Sequence, residues 1–283
     1  MVLAETTRFR RTREAVLRGR EGWSRAGDQA LFYWDSVIAI PRALQHYKKE
    51  TLRLIAEISM GTGALAMIGG TVVVVGFLTL FTGGTIAVQG YSSLSNIGVE
   101  ALTGFFSAFI NVRIAVPVIA GIALAATIGA GATAQLGAMR VSEEIDALEV
   151  MGIRSIAYLA STRVVAGIFV VIPLYCIAVI ASFFAARVGT TFGYGQSTGV
   201  YDHYFNTFLH STDMIWSFFE AVTIGIVVML VHTFYGFTAT GGPAGVGEAV
   251  GRAVRTSLIA GAFVSVIITL SVYGQSGNFD LSG

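Results

Sequence analysis

Residues 58–99 read ISMGTGALAMIGGTVVVVGFLTLFTGGTIAVQGYSSLSNIGV, a stretch without Asp, Glu, Lys or Arg. About 20 residues, at a rise of 1.5 Å each, are enough for a helix to cross a hydrocarbon core of about 30 Å. Four more stretches of at least that length also lack charge, namely Ile114–Met139, Val164–Ala186, Ala221–Gly247 and Thr256–Phe279. Together the five stretches predict an all-α polytopic membrane protein with five transmembrane helices.

The overall composition agrees with a membrane protein. Only 12% of the 283 residues are charged, whereas 54% are hydrophobic. A soluble domain carries about twice that share of charge. The single cysteine, Cys176, lies in an apolar stretch, and we interpret it as a small buried residue. The composition excludes a soluble enzyme, a disulfide-rich secreted domain and an extended nucleic-acid-binding protein.

Basic residues at the start of the chain indicate its orientation. Residues 1–20 contain six arginines and two glutamates before any long apolar stretch begins. Cytoplasmic segments of membrane proteins carry such an excess of Arg and Lys. We therefore predict a cytoplasmic N-terminus and, after five crossings, a C-terminus on the outer side. The first crossing, about Ala64–Thr82, is predicted to lead into an outer loop at Gly83–Gly98.

Two segments do not fit a simple succession of spans. Residues 101–139 are too long for one straight crossing, and Arg113 and Pro117 interrupt them. Their first part is therefore predicted to be a separate leading helix or a tilted extension beside a cavity. Residues 23–50 interleave large apolar side chains with charged ones such as Asp28 and Arg42. This pattern predicts an amphipathic helix in the cytoplasmic membrane interface, with a soluble docked helix as the alternative.

The segment between the second and third spans has the pattern of a short two-faced helix. Ser142 is predicted to cap it, acidic residues suit the positive end of its dipole, and Gly152 is predicted to end it. Apolar residues share one face by their spacing of three or four, and acids cover the remainder. The apolar residues are Val141, Ile145 and Leu148, and the acids are Glu143, Glu144, Asp146 and Glu149. Such a helix is either a solvated loop or a rigid contact for a cytosolic partner.

Motifs of known chemistry are missing from the sequence. It contains no Walker A, HExxH, paired-cysteine or nucleophile-elbow pattern. We therefore expect no catalytic residue and no metal site in this chain. The segment Gly241–Gly247 follows an apolar helix and lacks Lys, which favours a hinge or tight turn over a phosphate site. His232, in the fourth span, is predicted to be a hydrogen-bonded packing residue rather than a proton relay.

Residues 129–152 read GAGATAQLGAMRVSEEIDALEVMG, and this run resembles the signature of the MlaE/YrbE permeases. These are the membrane subunits of ABC lipid transporters that work with MCE-domain proteins. The resemblance extends from about Leu52 to Tyr273. Together with the charge pattern, it implies a multi-pass protein of the bacterial cytoplasmic membrane. Its parts would be a basic arm at residues 1–22, an interfacial helix at 23–50 and a permease domain at 51–283.

By this resemblance, residues 142–152 would form a coupling helix that docks on a cytosolic ATPase dimer. That ATPase would bind ATP and Mg and supply the Walker motifs, so this chain would itself be no enzyme. MCE-domain proteins on the outer side would provide an apolar tunnel for the lipid. The residues expected at the ATPase contact are Ser142, Glu143, Glu144, Ile145, Asp146, Leu148, Glu149 and Met151.

Several positions depart from the family pattern. Relatives commonly read Arg-Glu-Leu-Gly-Pro where this chain has Arg113–Pro117, and Ala-Glu-x-Gly where it has Ala134–Gly137. Two carboxylates are therefore missing. Glu220 stands near a position where relatives carry a Lys, and the usual Pro after Met151-Gly152 is absent. These departures imply one of two non-identical permease subunits, of the YrbE B type, paired with an A-type homologue.

The resemblance implies a lipid substrate, whether fatty acid, sterol or phospholipid, and an apolar cavity between two permease subunits. Arg113 is expected either to attract an anionic head group or to snorkel to the outer interface. Glu220 would be costly in a span unless paired or hydrated. It is expected to face the cavity or to pair with a base on the other subunit, with Arg113 as the alternative partner within the chain. The residues expected along the lipid pathway are Val74, Phe77, Leu78, Phe81, Phe105, Phe109, Arg113 and Glu220.

Two other functions are compatible with the sequence. An ion-coupled secondary transporter would need buried ionisable groups near the midplane, for which Glu220 and His232 are the candidates. A passive scaffold that anchors an MCE assembly would need no transport step. Dependence on ATP rather than on ion gradients separates the permease from the first alternative, and disruption of Glu143–Glu149 separates it from the second.

Overall fold

The computed structural model describes residues 26–60 and 64–274. Within these ranges the chain forms helices joined by short turns and contains no β-strand. The predicted all-α class is confirmed. The helices are α1 (26–38), α2 (Ile40–His46), α3 (Lys48–Met60), α4 (Ala64–Ser95), α5 (Glu100–Val141), α6 (Glu144–Val150), α7 (Ile156–Gly193), α8 (Thr198–Phe208), α9 (Ser211–Phe237) and α10 (Gly242–Tyr273).

Five of these helices, α4, α5, α7, α9 and α10, are long and apolar enough to cross a membrane, which confirms the predicted spans. Except for α4, these helices begin before the charge-free stretches, and α10 begins at Gly242 rather than near Thr256. Charge ends a hydrophobic stretch but not the backbone hydrogen-bond ladder. On α10, Glu248 and Arg252 form an i, i+4 ion pair of 2.8 Å that favours the helical extension. Which end of the bundle faces the cytoplasm remains a prediction.

The predicted outer loop at Gly83–Gly98 is wrong, because α4 stays helical to Ser95 and only residues 96–99 separate it from α5. At Gly83 a Cβ would lie 2.2 Å from the carbonyl oxygen of Ser182 on α7. At Gly90 a Cβ would lie 2.7 Å from the ring of Phe106 on α5. These glycines are therefore contact points between helices rather than turn residues.

The long segment before the third span is one helix, α5, which favours the predicted extension over a separate leading helix. Its 42 residues would measure about 60 Å, twice the hydrocarbon core. Wide π-helical turns at Asn111–Ala115 and Ala125–Gly129 interrupt the regular α-helix. The first turns of α5 pack against α8, where the Tyr201 hydroxyl donates to Ser107 Oγ over 2.9 Å.

The segment between the third and fourth spans is an ordered helix, α8, at the end of the bundle opposite α6. Tyr201 is buried, and this burial raises the pKa of its phenol to about 12, so that the hydroxyl stays protonated. Arg187, near the end of α7, donates two hydrogen bonds of 2.8 and 2.7 Å to Asp202. These bonds lower the pKa of the Asp202 carboxyl. Two sets of contacts thus attach α8 to neighbouring helices.

The apolar core lies where α4, α5, α7 and α9 meet. Small residues on α5 set the distance to α9. A Cβ at Gly121 would lie 2.3 Å from Ile224, and one at Gly129 would lie 2.6 Å from the ring of His232. Glycine and alanine at four-residue spacing therefore serve close packing within the subunit.

The outward surface of the spans is also apolar. Phe169, Ile180 and Phe184 on α7 are exposed, as are Phe263 and Ile267 on α10. Cys176 lies among the exposed residues of α7, so its predicted burial is wrong. A protein core and a lipid-facing surface select the same apolar residue types, and for this reason the local sequence did not separate them.

The N-terminal helices pack on the bundle with one face and leave the other uncovered. The ring of Phe32 lies 5.5 Å from that of Phe234, and the Ser161 hydroxyl donates to the Ser36 carbonyl over 2.7 Å. Trp34 and Ile38 are exposed on α1. These helices are docked and amphipathic at once, and their place in the membrane interface stays a prediction. The predicted basic arm at residues 1–22 lies outside the described residues.

Candidate functional site

The first candidate site is α6, and its start differs from the prediction. The Ser142 hydroxyl donates back to the Ala138 carbonyl of α5 over 3.0 Å and does not cap α6. Glu143 precedes α6 instead, with a left-handed φ of 61°. The predicted cap is therefore wrong, because Glu143 is the residue that immediately precedes α6 and no side chain caps that end of the helix. The left-handed residue turns the chain sharply from α5 into α6.

The end of α6 is as predicted. Gly152 has a φ of +76°, the left-handed conformation that glycine adopts most easily. Its N–H donates to the Glu149 carbonyl over 2.9 Å, and the N–H of Ile153 donates to the Leu148 carbonyl over 3.0 Å. This pair of bonds is a Schellman motif, which satisfies carbonyl groups at the end of the helix. Gly152 therefore stops α6, as its place in the sequence indicated.

One face of α6 is anchored between two spans. Ile145 is fully buried against Leu136 of α5 and Leu159 of α7, and Leu148 packs against the same cluster. Of the residues expected at an ATPase contact, Ile145 is thus unavailable, and it positions the helix instead. Leu148 is half-buried.

The opposite face of α6 is open to solvent. Val150 is 89% exposed and Met151 is 66% exposed. Asp146 pairs with Arg140 at 2.5 Å, and Glu149 accepts a hydrogen bond of 2.5 Å from Ser155. The remaining predicted contact residues are also exposed, namely Ser142, Glu143, Glu144, Asp146 and Glu149. The structure therefore brings acidic and apolar side chains together on one exposed surface.

The second candidate site is a groove on the outward side of α4. Val74, Phe77, Leu78 and Phe81 are all exposed. Phe77 and Phe81 line a groove of about 990 Å³, with Leu80, Val88 and Gln89 of the same helix. Across the groove lie Gly189, Gly193 and Tyr194. The predicted residues Phe77 and Phe81 thus lie along an apolar depression large enough for a lipid chain.

Three other predicted pathway residues, Phe105, Phe109 and Arg113, form a separate cluster at the end of the bundle that carries α8. Phe105 and Phe109 pack with ring centroids 5.6 Å apart. The guanidinium carbon of Arg113 lies 4.3 Å from the Phe109 ring centroid and 4.0 Å from that of Tyr273. Arg113 also forms an ion pair of 2.9 Å with Asp213. This cluster joins α5, α9 and α10, and none of its residues lines the groove on α4.

Glu220 lies inside the bundle and not beside Arg113. It is 2% exposed, and it accepts a hydrogen bond of 2.6 Å from the Ser265 hydroxyl on α10. The predicted pairing of Glu220 with Arg113 within the chain is therefore wrong. The partner of Arg113 is Asp213, which lies in the first turn of α9, nearer the end of the span than Glu220. A pairing with another subunit stays a prediction.

His232 is a hydrogen-bonded packing residue, as predicted. Its Nδ1 lies 2.8 Å from Thr133 Oγ1, and its Nε2 lies 3.2 Å from Ser257 Oγ. The ring is fully buried between α5, α9 and α10. Both ring nitrogens therefore have a partner within the chain.

A comparison with protein families decides the relationship of this chain. A family model described as Permease MlaE matches residues 60–271. The chain belongs to the MlaE permease family. The match covers α4 to α9 and all but the last two residues of α10.

Individual relatives of this MlaE family member are similar over part of their length. A probable ABC transporter permease protein of Rickettsia bellii is 33% identical over 166 residues, 56% of this chain and 58% of the relative. Protein TRIGALACTOSYLDIACYLGLYCEROL 1, chloroplastic, of Arabidopsis thaliana is 29% identical over 165 residues, 58% of this chain and 47% of the relative. A probable ABC transporter permease protein of Synechocystis is 28% identical over 144 residues, 51% of this chain and 55% of the relative. The similarity thus spans about half the length of each.

Sequence reasoning about this MlaE family member missed three polar residues, Asp213, Ser265 and Tyr273. The spacing of Ser257, Gly261 and Ser265 by four was a usable signal, because it places small residues on one face of α10. Nothing local in the sequence marked Asp213 or Tyr273 as partners of Arg113. Among the described residues, no group of three His, Cys, Asp or Glu side chains could hold a metal ion.

Proposed function

We propose that this MlaE family member is the non-catalytic permease subunit of an ABC-type transporter that moves a hydrophobic lipid. The relatives from Rickettsia bellii and Synechocystis are named as probable ABC transporter permeases. Five apolar spans suit that role. The sequence carries no Walker A motif, so ATP and Mg would be bound by a separate ATPase.

The exposed surface of α6 is the observation that carries this proposal. Val150 and Met151 are large apolar side chains, and acids surround them on the same short helix. The acids disfavour insertion of this surface into the bilayer, because charged groups are costly there. Exposed apolar residues within a charged rim are typical of protein contacts. A cytosolic ATPase is therefore the partner that α6 fits best.

The anchoring of α6 explains how force from an ATPase would reach the spans. Ile145 packs against Leu136 on α5 and Leu159 on α7. A tightly packed contact transmits displacement because little empty volume can absorb it. A pull on α6 would therefore move the adjoining ends of α5 and α7 together. Two permease subunits moved in this way would rock against each other and open or close an apolar cavity between them.

The lipid pathway is proposed to use the apolar surface of α4 and the cluster around Arg113. Phe77 and Phe81 offer a groove that suits an acyl chain or sterol. Val74, Leu78, Phe105 and Phe109 would extend the apolar contact. Arg113 already has an ion-pair partner in Asp213, so a lipid head group would have to share this guanidinium.

The remaining partners are proposed from the resemblance to MlaE/YrbE permeases. A second, A-type permease subunit would complete the membrane portion. MCE-domain proteins would receive or deliver the lipid at the end of the bundle that carries α8. The complex would reside in a bacterial cytoplasmic membrane.

The test of this proposal is the double substitution Val150→Asp and Met151→Asp, in the complex reconstituted with its co-purifying ATPase. Both side chains are exposed, so the fold of the subunit is expected to survive. We expect loss of ATPase association and about a tenfold or greater loss of ATP-driven lipid transfer between vesicles, as is usual for central contact residues. Ile97→Asp is the matched control for ATPase association, since Ile97 is 72% exposed in residues 96–99, at the other end of the bundle.

Each alternative function predicts a different result in the same assay. Transfer that needs no ATP and stops when ion gradients are dissipated would indicate an ion-coupled transporter. Unchanged transfer in the double variant, with the ATPase lost, would indicate a scaffold. Loss of transfer with the ATPase still bound would contradict the docking role of α6.

A further inference from the structure

A second cleft lies at the α6 end of the bundle, between the N-terminal helices and the chain that follows α6. Its volume is about 840 Å³. One wall carries Asp35 and Arg42, from α1 and α2. The other wall carries Glu149 and Arg154, from α6 and the turn after it. Of the residues that line this cleft, only Glu149 has been assigned to ATPase docking, and none has been assigned to the lipid pathway.

The helices that form the first wall expose an apolar face. Leu31, Trp34, Val37, Ile38 and Leu44 are between 43% and 65% exposed. A row of large apolar side chains, including a Trp, on a helix with charged neighbours is typical of a helix lying in a membrane interface. The cleft beside these helices would then open at the depth of the lipid head groups.

Each wall of the cleft contributes one arginine and one carboxylate, and the first wall also carries His46. Neither Arg42 nor Arg154 has an ion-pair partner among residues 26–60 and 64–274, and both are exposed. Glu149 accepts a hydrogen bond from Ser155. A ligand that presents both an anion and a cation would find a partner for each charge on either side.

Apolar side chains lie between these charged groups. Ile38 from α1 and Ile156 from the start of α7 line the same cleft. A free anion gains nothing from such residues, whereas the glycerol and first methylene groups of a phospholipid do. A purely anionic head group would meet two carboxylates, which disfavour it.

We propose that this cleft binds the zwitterionic head group of a phospholipid from the adjoining leaflet. The phosphate would contact Arg42 and Arg154, and the ammonium would contact Asp35 and Glu149. Guanidinium groups form strong charge-assisted hydrogen bonds with phosphate oxygens. Because Glu149 belongs to α6, a bound lipid would also tie α6 to the interfacial helices. The binding step itself does not depend on the proposed transport function.

The test is retention of phosphatidylethanolamine by the full chain, purified with any co-purifying subunits and measured by native mass spectrometry. The double variant Arg42→Gln with Arg154→Gln is expected to retain about tenfold less of this lipid than the wild type, because it loses both phosphate contacts. Lys49→Gln is the control, since Lys49 is an exposed base on α3 outside the cleft. Arg42→Lys with Arg154→Lys keeps the charges and is expected to retain an intermediate amount.

Other ligands separate the possible sources of binding. Phosphatidylglycerol, which lacks the ammonium, is expected to bind less than phosphatidylethanolamine, and free phosphoethanolamine is expected not to displace the lipid. Equal retention of both lipids, or full displacement by free phosphoethanolamine, would overturn the assignment. Unchanged lipid retention together with loss of the ATPase in the double arginine variant would assign the cleft to a protein contact instead. The Val150→Asp and Met151→Asp variant is expected to retain the lipid, so failure of the transport proposal would be visible separately.

Discussion

Glu220 lies in the interior of α9, and Ser265 supplies a hydrogen bond to its buried carboxyl group. The Glu220 side chain is 2% exposed and accepts the Ser265 hydroxyl at 2.6 Å. A charged or neutral carboxyl that loses such a donor inside the bundle gains no water in exchange. The hydrogen bond therefore contributes more here than it would at a solvent-exposed position.

We expect Ser265→Ala to lower the stability of the subunit by about 1–3 kcal/mol, the cost of leaving a buried polar group without its partner. Thermal unfolding in detergent measures this loss. Ser271→Ala, at an exposed position on the same helix, is the control and should change little. Equal effects of the two substitutions would contradict the role of Ser265. A Glu220→Gln variant that assembles and transports lipid like the wild type would contradict a functional role for Glu220.

At the scale of a helix, the sequence predicted α6 well because its signals are local. Gly152 ends the helix with a left-handed φ, and Ile145 is buried because the spacing of apolar residues fixes the inner face. Ser142 was misassigned because the same hydroxyl could serve either neighbouring helix. The left-handed turn at Glu143 separates Ser142 from α6, and the hydroxyl bonds to α5 instead.

Glycine was the least predictable residue in the helices. Gly83 and Gly84 both look like turn residues, yet they lie within α4. A Cβ at Gly83 would lie 2.2 Å from the Ser182 carbonyl oxygen, whereas one at Gly84 would meet nothing within 4 Å. The difference depends on the neighbouring span, which the local sequence does not contain.

This contrast gives a paired prediction. Gly83→Ala is expected to destabilise the subunit by more than about 1 kcal/mol, because α4 and α7 would have to separate. Gly84→Ala is expected to be neutral or to stabilise it by up to about 1 kcal/mol, since alanine is the better helix former. Thermal unfolding of the two purified variants compares them directly. A Gly83→Ala variant as stable as Gly84→Ala would mean that the two spans are not in close contact.

At the scale of the whole molecule, the number of spans followed from charge-free stretches, but the contacts between spans did not. Arg113 pairs with Asp213, 100 residues away, and Ser265 pairs with Glu220, 45 residues away. Hydrophobic length identifies a span without indicating its neighbours. For the same reason, the sequence did not indicate that the two halves of the predicted lipid pathway, on α4 and around Arg113, lie apart.

The alternation of five spans places α6 and α8 at opposite ends, which makes the predicted orientation testable with single cysteines. Cys176 is replaced by Ser, and Glu144→Cys or Asn206→Cys is introduced at exposed positions of α6 and α8. Thiols react with a membrane-impermeant maleimide only where water allows the thiolate to form. With the basic N-terminus inside, we expect the Asn206→Cys variant to be labelled in intact spheroplasts and the Glu144→Cys variant only after the membrane is opened. The reverse pattern would place α6 outside, beyond reach of any cytosolic ATPase, and would overturn both the orientation and the docking role of α6.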